Sequence, residues 1–266
     1  MARSGYYAWK HSAAKRAQRE EKDALFRDQI LAHEHVRIGI TGYRVITPKF
    51  PGVNHKRVAR IMKKYELQAR IRAANPYKNR YKKTEEHAVV ANVVDRNFAV
   101  MVPGTVGGTD ISYLRWRDRF IYFSVVKDFA SSEALAWKIS RTLEHGLVLD
   151  TISILASRLG DCMKDFVLHS DQGWHYTHPM YRAKLAELGM VQSMSRKGNC
   201  IDNAKTETFF GHMKDELDIS NCETFEEIVR TVDAFMYYYN NMRHMWSKHK
   251  MTPVQYRSHL VSFARD

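Results

Sequence analysis

Residues 166–176 read Phe166-Val167-Leu168-His169-Ser170-Asp171-Gln172-Gly173-Trp174-His175-Tyr176. Three apolar side chains make a short buried strand that runs into an aspartate, and the glycine two residues later frees the backbone. An acid delivered at the end of a buried strand, on a loop held by rigid elements, suits a functional site. Apolar residues recur at helical spacing through Leu147, Val148, Ile152 and Leu155, so residues 147–159 predict a helix before this strand. After it, Tyr181 to Leu188 predicts a second helix, Met190 to Met194 a brief strand, and Asn203 to Leu217 a third helix.

Upstream, Thr109 to Leu114, Phe120 to Phe129 and Ala134 to Ile139 are rich in β-branched and aromatic residues and read as three strands of an antiparallel meander. A meander followed by alternating helix and strand predicts an α/β fold with a mixed five-stranded sheet and helices on its faces. Residues 235–239 (Phe-Met-Tyr-Tyr-Tyr) read as an amphipathic helix docked on that core rather than a base-stacking platform.

Before the core the chain is helical. Lys10 to Arg37 is dense in Lys, Arg, Glu and Ala, with Phe26 and Ile30 as a thin apolar stripe, and predicts a solvated helical arm. Asn54 is a good N-cap, and Val53 and Val58 are spaced for a hydrophobic staple. In the helix that follows, Val58, Ile61, Met62 and Tyr65 form one face, while Lys56, Arg57, Arg60, Lys63 and Lys64 occupy the others. With the Pro51-Gly52 turn, it reads either as the second helix of a helix-turn-helix lying along DNA or as a charged surface helix. Pro48 and Pro51 shorten or kink the helix that precedes it. Asn75-Pro76 and the basic run from Lys78 to Lys83 predict a linker. The expected organisation is a helical region over 1–75, a basic linker over 76–100, the core over 101–220 and a helical extension over 221–266.

The 266 residues carry 42 Lys and Arg against 29 Asp and Glu, a net charge of +13 that favours a polyanionic partner, foremost nucleic acid. Cys162, Cys200 and Cys222 are odd in number and far apart, which argues against a disulfide framework or a zinc site. No run approaches the roughly 20 apolar residues of a membrane span. With no apolar secretion signal either, the expected location is cytoplasmic.

Asp110 falls in the first strand, Asp171 just past the fourth, and Glu207 on the first turns of the last core helix. Strand ends at a change of strand order leave a crevice where three such carboxylates could converge, and hard oxygen donors suit Mg²⁺. For any one of them the alternative is a solvated surface acid. Asp128, Asp202, Asp215 and Glu216 are rival ligands; Asp202 is expected to cap the last core helix, and Asp215 and Glu216 to be solvated. His175 reads as a substrate contact and His169 as packing.

Asp171 and Glu207 enclose 35 residues. With Thr109-Asp110-Ile111-Ser112-Tyr113 upstream, this resembles the Asp-Asp-35-Glu core of retroviral integrases and many bacterial transposases. Asn199 to Phe210, preceded by Ser193 to Gly198 and followed by Lys214, resembles the insertion-sequence-three transposases, and the likeness runs over nearly the whole chain. Ser4 to Trp9 is similar to the start of that family's second reading-frame product, Val53 to Leu67 to its small helical domain, and Tyr239-Asn240-Asn241 through Thr252-Pro253 to Tyr256 to its C-terminal signature. Gly107 departs from the pattern, which usually has tryptophan there.

The resemblance implies a ribonuclease-H-like fold and a polynucleotidyl transferase that cleaves and joins DNA at the ends of a mobile element. It implies two Mg²⁺ ions, with Mn²⁺ as a substitute, bridged by Asp110 and completed by Asp171 and Glu207. Lys214 would meet phosphate of the target or element end. DNA and a homo-oligomer on DNA are the implied partners, with the upstream reading-frame product as fusion or partner and no membrane. A non-catalytic DNA-binding regulator and a hydrolytic nuclease with the same core remain as alternatives.

Overall fold

The asparagine at position 54 does cap a helix. In the computed structural model, which describes residues 3–34, 41–69, 102–195 and 204–263, the Asn54 side chain accepts a hydrogen bond from the Lys56 backbone N–H at 2.9 Å. The chain divides into two compact units, Met1–Ile71 and Arg72–Asp266. The basic run from Lys78 to Lys83 and the rest of the expected linker lie outside the described residues.

The first unit contains α1 (Arg3–His11), α2 (Ala13–Glu34), α3 (Tyr43–Ile46), a single 3-10 turn (Thr47–Lys49) and α4 (His55–Lys64). Pro48 opens the 3-10 turn, where its missing N–H is not needed, so α3 stays at four residues. Val58, Ile61 and Met62 of α4 are buried together with Phe26 and Ile30 of α2 and with Ile46, and Val53 packs on the same cluster. The thin stripe on α2 is therefore enough to dock it, and the expected solvated arm is a packed helix. Ion pairs reinforce the contact. Arg60 makes two hydrogen bonds to the buried Asp23, at 2.8 and 2.7 Å, and Lys64 reaches both Glu20 and Asp23. Hydrogen bonds from Arg60 first, then Lys64, hold the Asp23 carboxyl well below the usual carboxylate range despite burial.

The second unit is built on a five-stranded sheet in the order β3-β2-β1-β4-β5, with β1 (Val106–Trp116), β2 (Arg119–Asp128), β3 (Ala134–Ser140), β4 (Val167–Ser170) and β5 (Val191–Met194). The first three strands form the antiparallel meander, and β4 and β5 add in parallel on the other side of β1. On one face α5 (His145–Leu159) and α7 (Pro179–Glu187) bury Val148, Ile152, Leu155 and Leu185 against Val126, Ala136 and Leu168 of the sheet. On the other, α8 (Ala204–Glu216) and α9 (Phe225–Asn241) bury Phe209, Met213, Val232 and Met236 against Leu114, Ile121, Phe123 and Val125. This mixed sheet with helices on both faces, preceded by a small helical region, is a ribonuclease-H-like α/β fold.

Residues 235–239 form the expected docked helix: Phe235, Met236, Tyr238 and Tyr239 are buried and Tyr237 is exposed. The next residue protects an edge. Asn240 accepts from the Ala134 N–H and donates to the Ala134 carbonyl, both at 2.9 Å, so its amide takes the place of a neighbouring strand beside β3. α10 (Pro253–Phe263) begins with a reciprocal cap in which the Thr252 hydroxyl accepts from Gln255 N–H and the Gln255 side chain accepts from Thr252 N–H. Among the described residues no helix is long and apolar enough to cross a membrane.

Two glycines set the closest packing around β1. A Cβ on Gly107 would lie 2.7 Å from the Phe166 ring and 3.0 Å from the Lys127 carbonyl. Phe166 thus fills the space a side chain at position 107 would need. A Cβ on Gly108 would lie 2.4 Å from the Phe129 ring and 2.8 Å from the Thr206 hydroxyl of α8. Gly108→Ala is therefore expected to cost about 3 kcal/mol, because both neighbours must shift in a close-packed layer. Urea denaturation measures it, and a loss below about 1 kcal/mol would show that α8 is not seated on β1 this closely.

Candidate active site

β1 and β4 run in parallel, and their last paired residues are Gly108 and His169. Asp110 and Asp171 each stand two residues beyond that pair, so the register sets them level on strands that neighbour at about 4.8 Å. The sheet order reverses direction here, with the meander on one side of β1 and the parallel strands on the other.

Backbone amides orient both acids. Ile111 N–H donates to Asp110 Oδ1 at 2.7 Å, and Gly173 N–H donates to Asp171 Oδ1 at 2.9 Å. Asp110 is half-buried, whereas Asp171 is reached by solvent. Enough protein surrounds Asp171 that desolvation raises its pKa, opposed by the Gly173 hydrogen bond.

The third predicted acid enters from α8. The backbone of Glu207 lies in the first turn of that helix, next to Thr206, whose hydroxyl sits over Gly108 of β1; the Glu207 side chain lies outside the described residues, as do Arg196 to Asn203 and the cap expected from Asp202. Among the described residues no group of three or more His, Cys, Asp and Glu side chains is placed to hold a metal ion. Lys214 is exposed farther along α8, two turns from Glu207.

Two of the rival acids are committed elsewhere. Asp128 is buried and accepts hydrogen bonds from Gly104 N–H, Ser131 N–H and the Ser131 hydroxyl, which pins the turn after β2. Glu216 was expected to be solvated, yet it is clasped by the buried Arg243 through three hydrogen bonds of 2.9 to 3.1 Å. His169 packs as expected, fully buried with its Nδ1 3.0 Å from the Ser193 hydroxyl. Cys162 is an exposed free thiol and Cys222 a buried one.

His175 is buried, with its ring 3.7 Å from the Trp174 ring and 5.8 Å from that of His145, which itself lies 3.8 Å from His178. Burial, then the neighbouring His145, lowers its pKa from 6.5 to about 4, against the pull of the Leu143 carbonyl. Between pH 6.5 and 4 the unfolded chain takes up a proton here that the folded chain refuses, so stability rises with pH across that window and is lost as pH falls through it. The loss should approach 3 kcal/mol, about 1.4 kcal/mol for each pKa unit. Urea denaturation at pH 7 and pH 4.5 should show a smaller acid loss in His175→Phe; an identical loss would remove His175 as the cause.

On α4, Lys56, Arg57 and Lys63 are exposed, with Arg57 over the Phe26 ring at 5.0 Å. Arg60 and Lys64 are engaged with the acids of α2.

The sheet order, with antiparallel strands on one side of β1 and parallel strands on the other and helices on both faces, makes this core a ribonuclease-H-like α/β domain. The integrase core domain family matches residues 102–200 and, through a second model of the same description, residues 207–261. An uncharacterized transposase-like protein of Haemophilus influenzae is 33% identical over 207 residues, covering 77% of this chain and 94% of that protein. A putative transposase for insertion sequence element IS150 of Escherichia coli is 32% identical over 245 residues, covering 90% and 84% respectively. A transposase of insertion sequence IS3A, also from Escherichia coli, is 31% identical over 59% of this chain and 56% of its own. The chain belongs to the insertion-sequence transposases that carry this integrase core, the insertion-sequence-three-like group.

Proposed function

We propose that this protein cleaves DNA and transfers strands at the ends of a mobile element, with Asp110, Asp171 and Glu207 as the catalytic acids. The observation that carries the reading is the level placement of Asp110 and Asp171 across β1 and β4, with the first turn of α8 set over Gly108. Carboxylate oxygens are hard donors, and one oxygen of each acid is already held by a backbone N–H, so the pair fits a hard divalent ion such as Mg²⁺ and not a soft-ligand metal. Asp110 and Asp171 would hold it with Glu207, and its chemistry there is to activate the attacking hydroxyl and stabilise the leaving 3′-oxygen of an in-line displacement.

The chain's own part is orientation and charge. The Ile111 and Gly173 amides fix the rotation of the two carboxylates. Lys214 meets the phosphate of the element end or target, and Lys56, Arg57 and Lys63 of α4 track the DNA backbone, where a net charge of +13 releases counterions on binding. Arg60 and Lys64 add to that surface while tying α4 to α2. A second copy of the chain on the same DNA would pair the two element ends.

The test is a joining assay. Purified protein, alone or fused to the upstream reading-frame product, is incubated with a labelled element end, target DNA and Mg²⁺. Strand-joined product is expected. Nicking without joining would favour a hydrolytic nuclease, and DNA binding with neither would favour a regulator.

A further inference from the structure

Near the turn that joins them, β1 and β2 are covered on one face and bare on the other. Leu114, Trp116, Ile121 and Phe123 are buried beneath α8 and α9. The alternate residues point the opposite way. Register sets Tyr113 across from Tyr122 and Arg115 across from Phe120, with Ser140 beside Tyr122 and Lys138 beside Ser124 on β3. α5 and α7 cover this second face at Val126 and Ala136, but Phe120 lies about 20 Å farther along β2. Tyr113 is 46% exposed and Phe120 54%. Their rings form one cluster with Tyr122: Tyr113 meets Phe120 edge-on at 6.3 Å and Tyr122 at 5.3 Å.

The outward positions of an antiparallel sheet with one solvated face are ordinarily polar, so adjoining aromatic rings there mark a contact surface. Its charge points to the occupant. Arg115 and Lys138 share the face and are exposed, with one acid, Asp150, 3.6 Å from Lys138. The turn adds Arg117 and Arg119 against Asp118. A second copy docked here about a two-fold axis would set these cations against their own kind, which disfavours self-association. Aromatic rings on a sheet, flanked by cations, suit the bases and phosphates of an unpaired strand, whereas a duplex keeps its base faces stacked away.

We propose that Tyr113, Phe120 and Tyr122 form a stacking platform for single-stranded DNA, with Arg115 and Lys138 meeting its phosphates. Asp110 pairs with Val125, which is buried on the α8 and α9 face, so its side chain and the platform lie on opposite faces of β1. β4 pairs with β1 as far as Gly108, and among the described residues no strand flanks that edge from Asp110 onward. A strand leaving the acids can turn round this edge to Tyr113, about 10 Å along β1. Binding by the platform needs no metal, but its place on the path of that strand rests on reading the acids as catalytic.

The experiment uses the full chain with metal chelated. Fluorescence anisotropy follows binding of a labelled oligothymidylate of about 15 nucleotides and of a duplex element end. Wild type is compared with Tyr113→Ser, Phe120→Ser, Arg115→Gln and Tyr237→Ser, the last removing a ring that is 63% exposed on α9. Tyr113→Ser and Phe120→Ser should each weaken oligothymidylate binding by at least ~5-fold, the least that one lost base stack is worth, with duplex affinity and melting temperature unchanged. Arg115→Gln should lower the slope of log affinity against log salt by about 0.7. Tyr237→Ser should match wild type. Unchanged oligothymidylate affinity in Tyr113→Ser and Phe120→Ser overturns the platform. So does an equal loss in Tyr237→Ser, an equal loss of duplex binding, or an affinity loss matched by a fall in melting temperature. A wild-type dimer that Phe120→Ser splits on sedimentation also overturns it and gives the face to a second copy. Asp171→Asn should bind the oligothymidylate as wild type does; full strand joining by that variant would sink the catalytic reading and leave the platform standing.

Discussion

Asp171→Asn and Glu207→Gln should each lower strand joining by on the order of 10³-fold, while binding to an element end stays within a few-fold of wild type. Each change keeps side-chain size but removes a charged hard ligand. Several kcal/mol of transition-state stabilisation go with it, and each 1.4 kcal/mol is a factor of ten in rate. DNA affinity is spared because it comes from basic side chains, and losing a negative charge near phosphate does not weaken it. Gel-shift and joining assays on the same preparations separate the two effects. Full joining by Glu207→Gln would remove that residue from the catalytic set, and parallel loss of binding in either variant would point to misfolding.

The largest stability effect is expected at the Glu216–Arg243 pair. Arg243 is 5% exposed, and the charge of Glu216 keeps its pKa raised in spite of burial. Glu216→Ala strands a guanidinium in the layer that joins α8 to α9, at a cost of about 3–5 kcal/mol. For a unit of this size that lowers the melting temperature by about 10 °C. Joining activity should fall with it, since α8 carries Glu207. The double variant Glu216→Leu with Arg243→Met should recover most of the stability, because well-packed apolar side chains replace a buried ion pair at little cost. Calorimetry decides: a shift of under about 2 °C in Glu216→Ala would mean that the pair contributes as little as a surface one.

The five strands and the core helices were legible because their signals are local. Alternation and 3.6-residue spacing survive in any ten-residue window, and β2, β3 and α5 start and end within about two residues of the expectation. The docked helix α9 was equally plain from its aromatic run. Glu216 was misread for the opposite reason. Its partner is 27 residues away, and nothing near it in the chain distinguishes a clasped acid from a solvated one. α2 was read as a solvated arm because two apolar residues look insufficient until α4 supplies Val58, Ile61 and Met62 beside them.

The site divides along the same line. Residue order by itself supplied the acids, the 35-residue spacing, the basic charge and the helix cap at Asn54, all of which depend on side-chain chemistry or neighbours in the chain. Only the tertiary structure set Asp110 level with Asp171 and seated α8 on Gly108. Those facts follow from the register between parallel strands joined by a long crossover and from packing across layers, which bring together residues that no local pattern connects.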